Sequence, residues 1–193
     1  RFTHNKKLNV PSPADYFRIL EENHVMADHN ERRKRIEAAV RESAGGAPLI
    51  SEKLLNDVLF LVEYPHIGVG TFDEKYLRLP REVLILTTEK NQHYFPVEDE
   101  KNGKLLNRFC VVMNVALEQS PAVISGYEKV LLSRLQDALF FYENDLKKPL
   151  EERIAALDKI TFQKSLGSIG DKSRRLVLLT KKLSDIFGSS SED

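Results

Sequence analysis

The stretch Lys90-Asn91-Gln92-His93-Tyr94-Phe95 sets a cation and amides beside aromatic rings. Rings stack on unpaired bases and lysine neutralises phosphate, so these residue types suit contact with RNA. As a plain strand the same residues alternate, with Gln92 and Tyr94 on one side, His93 and Phe95 on the other, and one side in the core. Two further cationic groups are Arg32, Arg33, Lys34 and Arg35 on one helical stretch and Lys172, Arg174 and Arg175 on another. Acids stand nearby in both, so a solvated helix face is the simpler reading of each.

Other chemistry finds little support. The five histidines are His4, His24, His29, His66 and His93, with no His-Glu-x-x-His or His-Asp among them. His24, Asp28 and His29 straddle an expected helix start, so their side chains should diverge rather than hold a metal. Gly68-Val69-Gly70 lacks a third glycine and an immediately following long helix, and reads as glycines in a strand or turn. Cys110 lies in the apolar run Phe109-Cys110-Val111-Val112-Met113, where a thiol behaves as a small hydrophobe. Acid pairs such as Glu21-Glu22 and Glu151-Glu152 sit on helix faces. No acid, base and nucleophile assemble, so no catalytic residue and no metal is expected. Arg134 and Asp137, three apart on a long helix, can pair with each other or fix how that helix packs.

These side chains ride on 193 residues with 29 Lys+Arg against 29 Asp+Glu, a net charge of zero. That excludes gripping a polyanion with the whole surface; RNA contact would need a local patch. One cysteine excludes an internal disulfide and fits a reducing cytosol. No apolar run approaches the ~20 residues of a spanning helix, and the first ten residues lack the apolar core of a signal peptide. The chain starts at Arg1, and its only methionines are Met26 and Met113, so a piece of a longer protein is expected.

Helix punctuation is frequent. Ser12-Pro13 opens a short helix to about Asn23, and Asp28 to Glu31 has capping-box spacing for a second that stops at Gly45-Gly46. Its apolar stripe is Ile36, Ala39 and Val40, with Arg32, Arg33 and Arg35 solvent-side. Ser51 caps a third helix, and Pro80 starts a fourth over 81–88. Strands are expected at 66–72, 92–97 and 108–116, the last two joined as a hairpin. Ser125 to Glu128 reads as a capping box for a helix to about Asp145, striped by Leu131, Leu135, Ala138 and Tyr142. Pro149 opens another helix, Thr161–Leu166 stays ambiguous, and Asp171 caps the last before a polar tail at 189–193. The sum is an α+β fold, helix-rich with a small antiparallel sheet.

In that order along the chain stand Ala27-Asp28 with Glu31-Arg32-Arg33, Leu61-Val62-Glu63-Tyr64-Pro65, Leu79-Pro80-Arg81-Glu82-Val83-Leu84 and Gln92-His93-Tyr94-Phe95-Pro96-Val97. Further on come Ile124-Ser125-Gly126-Tyr127-Glu128-Lys129-Val130, Arg134-Leu135-Gln136-Asp137-Ala138-Leu139-Phe140-Phe141, Asp145-Leu146-Lys147-Lys148-Pro149-Leu150-Glu151 and Phe162-Gln163-Lys164-Ser165-Leu166-Gly167 with Asp171-Lys172. Together they resemble the β-subunit family of the bacterial heterotetrameric glycyl-tRNA synthetases, nearly end to end. Tyr127 stands where that family usually has Asn, and Arg1-Phe2-Thr3-His4 matches its Arg-Gly-His-Arg-Phe element only loosely.

The resemblance implies an internal fragment of a β-subunit about three times longer. Residues 1–167 would be the later part of an N-terminal α+β, tRNA-handling region, similar to a sheet domain in the β-subunit of phenylalanyl-tRNA synthetase. Residues 168–193 would be the first helix of an HD-type helical domain plus the polar tail. Glycine activation by ATP, with magnesium, would occur on the α-subunit, and this chain would need no cofactor of its own. Its implied partners are that α-subunit, tRNA(Gly) and the remainder of the β-subunit, in the cytoplasm and away from membranes. Within this frame the expected RNA contacts are Lys90, Gln92, His93 and Tyr94, then Arg32 and Arg35. Glu128, Arg134 and Asp137 are expected to set the start and packing of the long helix. The alternative is a scaffold segment that never touches RNA.

Overall fold

The structure, a computed structural model, describes residues 7–114 and 120–188. The first-residues element, the strand end at Ala116 and the tail at 189–193 lie outside the described residues. By packing, the chain divides into two compact units, Arg1–Phe140 and Phe141–Asp193.

In the first unit, a short 3-10 turn at Pro13–Asp15 leads into α1 (Tyr16–Glu22). α2 (His29–Ser43) starts where the Asp28 carboxylate accepts the backbone N–H groups of Asn30 and Glu31, two donors that a helix start otherwise leaves unpaired. It ends before Gly45, whose φ of +63° a side chain would strain. β1 is only Ala47–Pro48, and α3 (Glu52–Leu59) is capped by Ser51, whose hydroxyl accepts the Leu54 N–H at 3.1 Å.

β2 (His66–Thr71), β3 (Phe95–Glu98) and β4 (Leu105–Met113) complete an antiparallel sheet with strand order β1-β3-β4-β2. Pro48, which cannot donate to a ladder, sits in the edge strand, as expected of proline. Register sorts the side chains by face. Ile67 and Val69 of β2 pair with Val112 and Cys110 of β4, and this side packs on Ile36 and Val40 of α2 and Leu54, Leu55 and Val58 of α3. Those residues are at most 3% exposed apart from Ile67 (6%) and the half-buried Val69 and Val112, so this is the main core.

Gly68 and Gly70 look the opposite way, opposite Val111 and Phe109. A methyl on Gly70 would collide with the Phe109 ring, and one on Gly68 with Ile124 and Met113. The two glycines are therefore a strand thinned to admit bulky neighbours. They do not form a nucleotide loop. Ile124 belongs to α5 (Ser120–Asp145), so the first half of this helix covers that second face, with Leu131 and Leu135 fully buried.

Several local expectations change. α5 begins at Ser120, so Ser125 lies inside it and caps nothing. β3 begins at Phe95 rather than Gln92, and α4 (Arg81–Ile85) continues as a wider π turn over Leu86–Lys90. The cause of the π turn is local. Thr87 and Thr88 turn their hydroxyls back to the carbonyls of Val83 and Leu84, at 2.7 and 2.8 Å, in competition with the backbone ladder.

The second unit holds the end of α5, a ten-residue 3-10 helix at Leu150–Lys159, a small hairpin of β5 (Thr161–Gln163) and β6 (Gly167–Ser168), and α6 (Ile169–Phe187). Ser168 caps α6, and Asp171 completes a reciprocal capping box from the third helical position. Leu176, Val177, Leu178 and Leu179 are four consecutive residues of α6, each more than half exposed.

Candidate nucleic-acid interface

The π turn delivers the cation and the imidazole to one cavity. Its last turn closes with His93 at φ +57°, the left-handed position that glycine usually takes after a helix. His93 N–H donates to the Glu89 carbonyl and Tyr94 N–H to that of Thr88. Each bond spans one residue more than the same closure on an α-helix, because the turn beneath is wider. The chain is thereby reversed within two residues, sending His93 outward and Tyr94 inward.

Tyr94 is 3% exposed, its ring stacked on Phe109 with centroids 4.8 Å apart and met edge-on by Tyr127 at 5.6 Å. Burial pushes its hydroxyl pKa up to about 12. A ring covered in this way is core and has no free face for a base, which corrects its expected stacking role. The expected alternation also fails: Tyr94 and Phe95 are both buried, since Gln92 and His93 precede the strand.

Lys90 is exposed, Gln92 half-buried, and the His93 side chain is 43% exposed at the rim of a cavity of about 600 Å³. Leu54, Ile85 and Leu86 give that cavity apolar walls, with Lys53 and Lys90 as its cations and Asp57, Glu82 and Glu89 as its acids. His93 Nδ1 is shielded from solvent, lacks a hydrogen-bond partner among the described residues and stands 4.0 Å from the Asp57 carboxylate. A shielded polar nitrogen without a partner is exceptional in a folded protein. Asp57, Lys53 and Glu89 could not be assigned to this site from sequence; α3 and the π turn bring them there.

The arginines of α2 differ in kind. Arg32 donates from Nε to the Leu59 carbonyl at 3.0 Å and from Nη1 to that of Met26, so it staples α3 to the segment before α2. Arg33 reaches Asn56 at 2.6 Å and Glu52 at 2.5 Å. Neither is the freely solvated side chain expected from the helical pattern. Arg35 lies over the Tyr64 ring at 4.3 Å, and His24 and His66 flank the same ring at 5.1 and 5.5 Å.

The expected structural residues also separate. Glu128 accepts from the backbone N–H and hydroxyl of Thr71 and so joins α5 to β2; it does not start the helix. Arg134 and Asp137 are both exposed and form no ion pair with each other. Cys110 is fully buried, its pKa pushed up to about 11 by desolvation. Among the described residues, no group of three or more His, Cys, Asp or Glu is arranged to hold a metal ion, and no helix is long and apolar enough to cross a membrane.

Comparison with known proteins bears on the whole chain. The family model described as glycyl-tRNA synthetase beta subunit matches residues 1–192. A glycine–tRNA ligase beta subunit of Marinobacter nauticus is 44% identical over 194 residues, 98% of this chain and 28% of the relative. Those of Clostridioides difficile and Pseudoalteromonas translucida are 42% and 40% identical, each over all of this chain and 28% of the relative. This chain therefore spans little more than a quarter of the curated relatives it matches. With a match that runs through every element from α1 to α6, the chain belongs to the glycyl-tRNA synthetase beta subunit family.

Proposed function

We propose that this segment handles tRNA(Gly) within the β-subunit of glycine–tRNA ligase, holding it for ATP- and magnesium-dependent glycylation on the α-subunit. Lys90, Gln92, His93 and Arg35 are the contacting residues; Arg32 and Tyr94 position them. The observation that carries this reading is the paired arrangement at the π turn, where Tyr94 is locked in the core and Lys90 and His93 stand at the rim of a cavity. A rigid mount for a cation and an imidazole is what orientation requires, and orientation lowers the entropic part of a bimolecular barrier. The cytoplasm, the α-subunit and the remainder of the β-subunit complete the proposed setting. A boundary near residue 167, a following HD-type helical domain and a likeness to the sheet domain of phenylalanyl-tRNA synthetase belong to the same proposal.

The test is fluorescence anisotropy of labelled tRNA(Gly) and an unrelated tRNA against the subunit at two salt concentrations. Preference for tRNA(Gly), falling steeply with salt, is the expected result. No binding by folded protein overturns it. A scaffold role without RNA contact is the second reading, favoured by the exposed apolar run Leu176 to Leu179.

A further inference from the structure

Two segments that precede it by about 30 and 40 residues, and the strand that follows it, meet on the Tyr64 ring. Arg35 comes from α2, His24 from the turn after α1, and His66 is the first residue of β2. His24 holds φ +60°, a left-handed conformation that a non-glycine residue adopts only when its surroundings fix it. The outcome is one guanidinium and two imidazoles around a single aromatic ring.

The carboxylates on the elements packed here are mostly engaged elsewhere. Asp28 caps α2, Glu31 pairs with Lys34 at 2.7 Å, and Glu22 pairs with Arg18 at 2.7 Å. Glu21 lines the neighbouring cavity with Arg35, and Glu63 adjoins Tyr64 in sequence. Burial, then the charges of Arg35 and His24, lower the pKa of His66 below its ordinary value. In the free protein, repulsion and desolvation therefore oppose a proton that a bound anion would welcome.

We propose that Arg35, His24 and His66 form a phosphate site for the RNA backbone, one that takes up protons as the RNA binds. The proposal rests on the tRNA-handling reading above. It adds the site, its chemistry and its pH response. Arg35 supplies a permanent positive charge held in orientation by the Tyr64 face, His24 supplies a ring N–H donor beside it, and the His66 imidazole adds charge when a phosphate is present. Affinity must then rise as pH falls, since the complex binds more protons than the free protein.

The experiment measures labelled tRNA(Gly) binding to the subunit at about pH 6 and about pH 8, the range over which histidine changes charge. A rise of about one pKa unit at His66 on binding corresponds to about tenfold in affinity, so wild type should bind at least severalfold tighter at the lower pH. The salt slope should also steepen there by ~0.7–0.9 per added phosphate contact. The double variant His24→Gln/His66→Gln should lose the pH response while remaining folded by circular dichroism, and His29→Gln should retain it. As a second readout, the imidazole signal of His66 in wild type should titrate at higher pH with tRNA present. A pH response that survives in the double variant, or a His66 imidazole unmoved by tRNA, overturns the proposal alone. Wild type that binds no tRNA at either pH overturns the tRNA-handling reading as well.

Discussion

The Glu128 carboxylate on α5 accepts two hydrogen bonds from Thr71, one from the backbone N–H at 2.8 Å and one from the hydroxyl at 3.3 Å. Thr71 ends β2, an outer strand of the sheet. The bond thus joins the helix to the sheet at a backbone donor that no neighbouring strand reaches. Replacing Glu128 with Ala should destabilise the protein by about 1–2 kcal/mol, in the range for a hydrogen bond to a charged group that is partly exposed. Glu128→Gln keeps an acceptor and should lose less. Urea midpoints of the two variants check the order; equal losses would show that packing, and not the hydrogen bond, is responsible.

Tyr94 separates core from contact surface. Its hydroxyl reaches Gln92 only at 3.5 Å, so Tyr94→Phe should change stability by less than about 1 kcal/mol. Tyr94→Ala removes a ring stacked on Phe109 and should cost ~3–5 kcal/mol. Tyr94→Leu, if folded, should weaken tRNA binding by no more than Lys90→Ala/His93→Ala does, since Tyr94 acts only by positioning those two residues. A further loss of ~1–3 kcal/mol beyond that double variant would instead indicate a ring stacked on a base.

At His93 the backbone favours glycine. Because φ is +57°, His93→Gly should be more stable than His93→Ala by ~1 kcal/mol, reversing the usual order of the two residues in an ordered chain. Thermal unfolding of both variants decides this. An alanine variant as stable as the glycine one would mean that the turn is not left-handed.

Alkaline conditions should weaken the fold through two buried groups. Cys110 is held up to about 11 and Tyr94 to about 12, from ordinary values of 9.0 and 10.0. Each folded-state pKa lies above the unfolded one, so between those values the unfolded chain has lost a proton that the folded chain keeps. The stabilisation is fully present below about pH 9 and is lost as pH rises towards 11 and 12. Stability measured in urea across this range should fall, and Cys110→Ala should flatten the first part of the fall. The native thiol should also resist alkylation near neutral pH until the protein unfolds.

What the sequence made legible was local. Asp28 and Ser51 cap the helices they precede, because an N-cap needs only a side-chain oxygen within three residues of a free N–H. The stripe of Leu131 and Leu135 is buried as its spacing required. Ser125 misleads for a physical reason: a capping pattern inside a helix is overridden when Ile124 and Tyr127 already pack on the sheet face. The contacts of the arginines are not legible locally because their partners lie far along the chain, with Leu59 27 residues from Arg32 and Glu52 19 from Arg33. At the candidate site, Lys90 and His93 were identifiable by type. The cavity was not, since it depends on a π turn produced by two threonine hydroxyls and on a left-handed histidine.

The π turn at Leu86–Lys90 also shelters the phase of everything after it. A π turn completes its rotation with close to one residue more than an α turn. Deleting a single residue there and relaxing to an α-helix would therefore leave the direction of exit nearly unchanged, and Phe95 and Val97 would still enter β3 as core residues. What such a deletion would remove is the widened closure from which Lys90 and His93 reach the cavity rim. The supernumerary residue is thus spent on the surface, and the sheet does not register it.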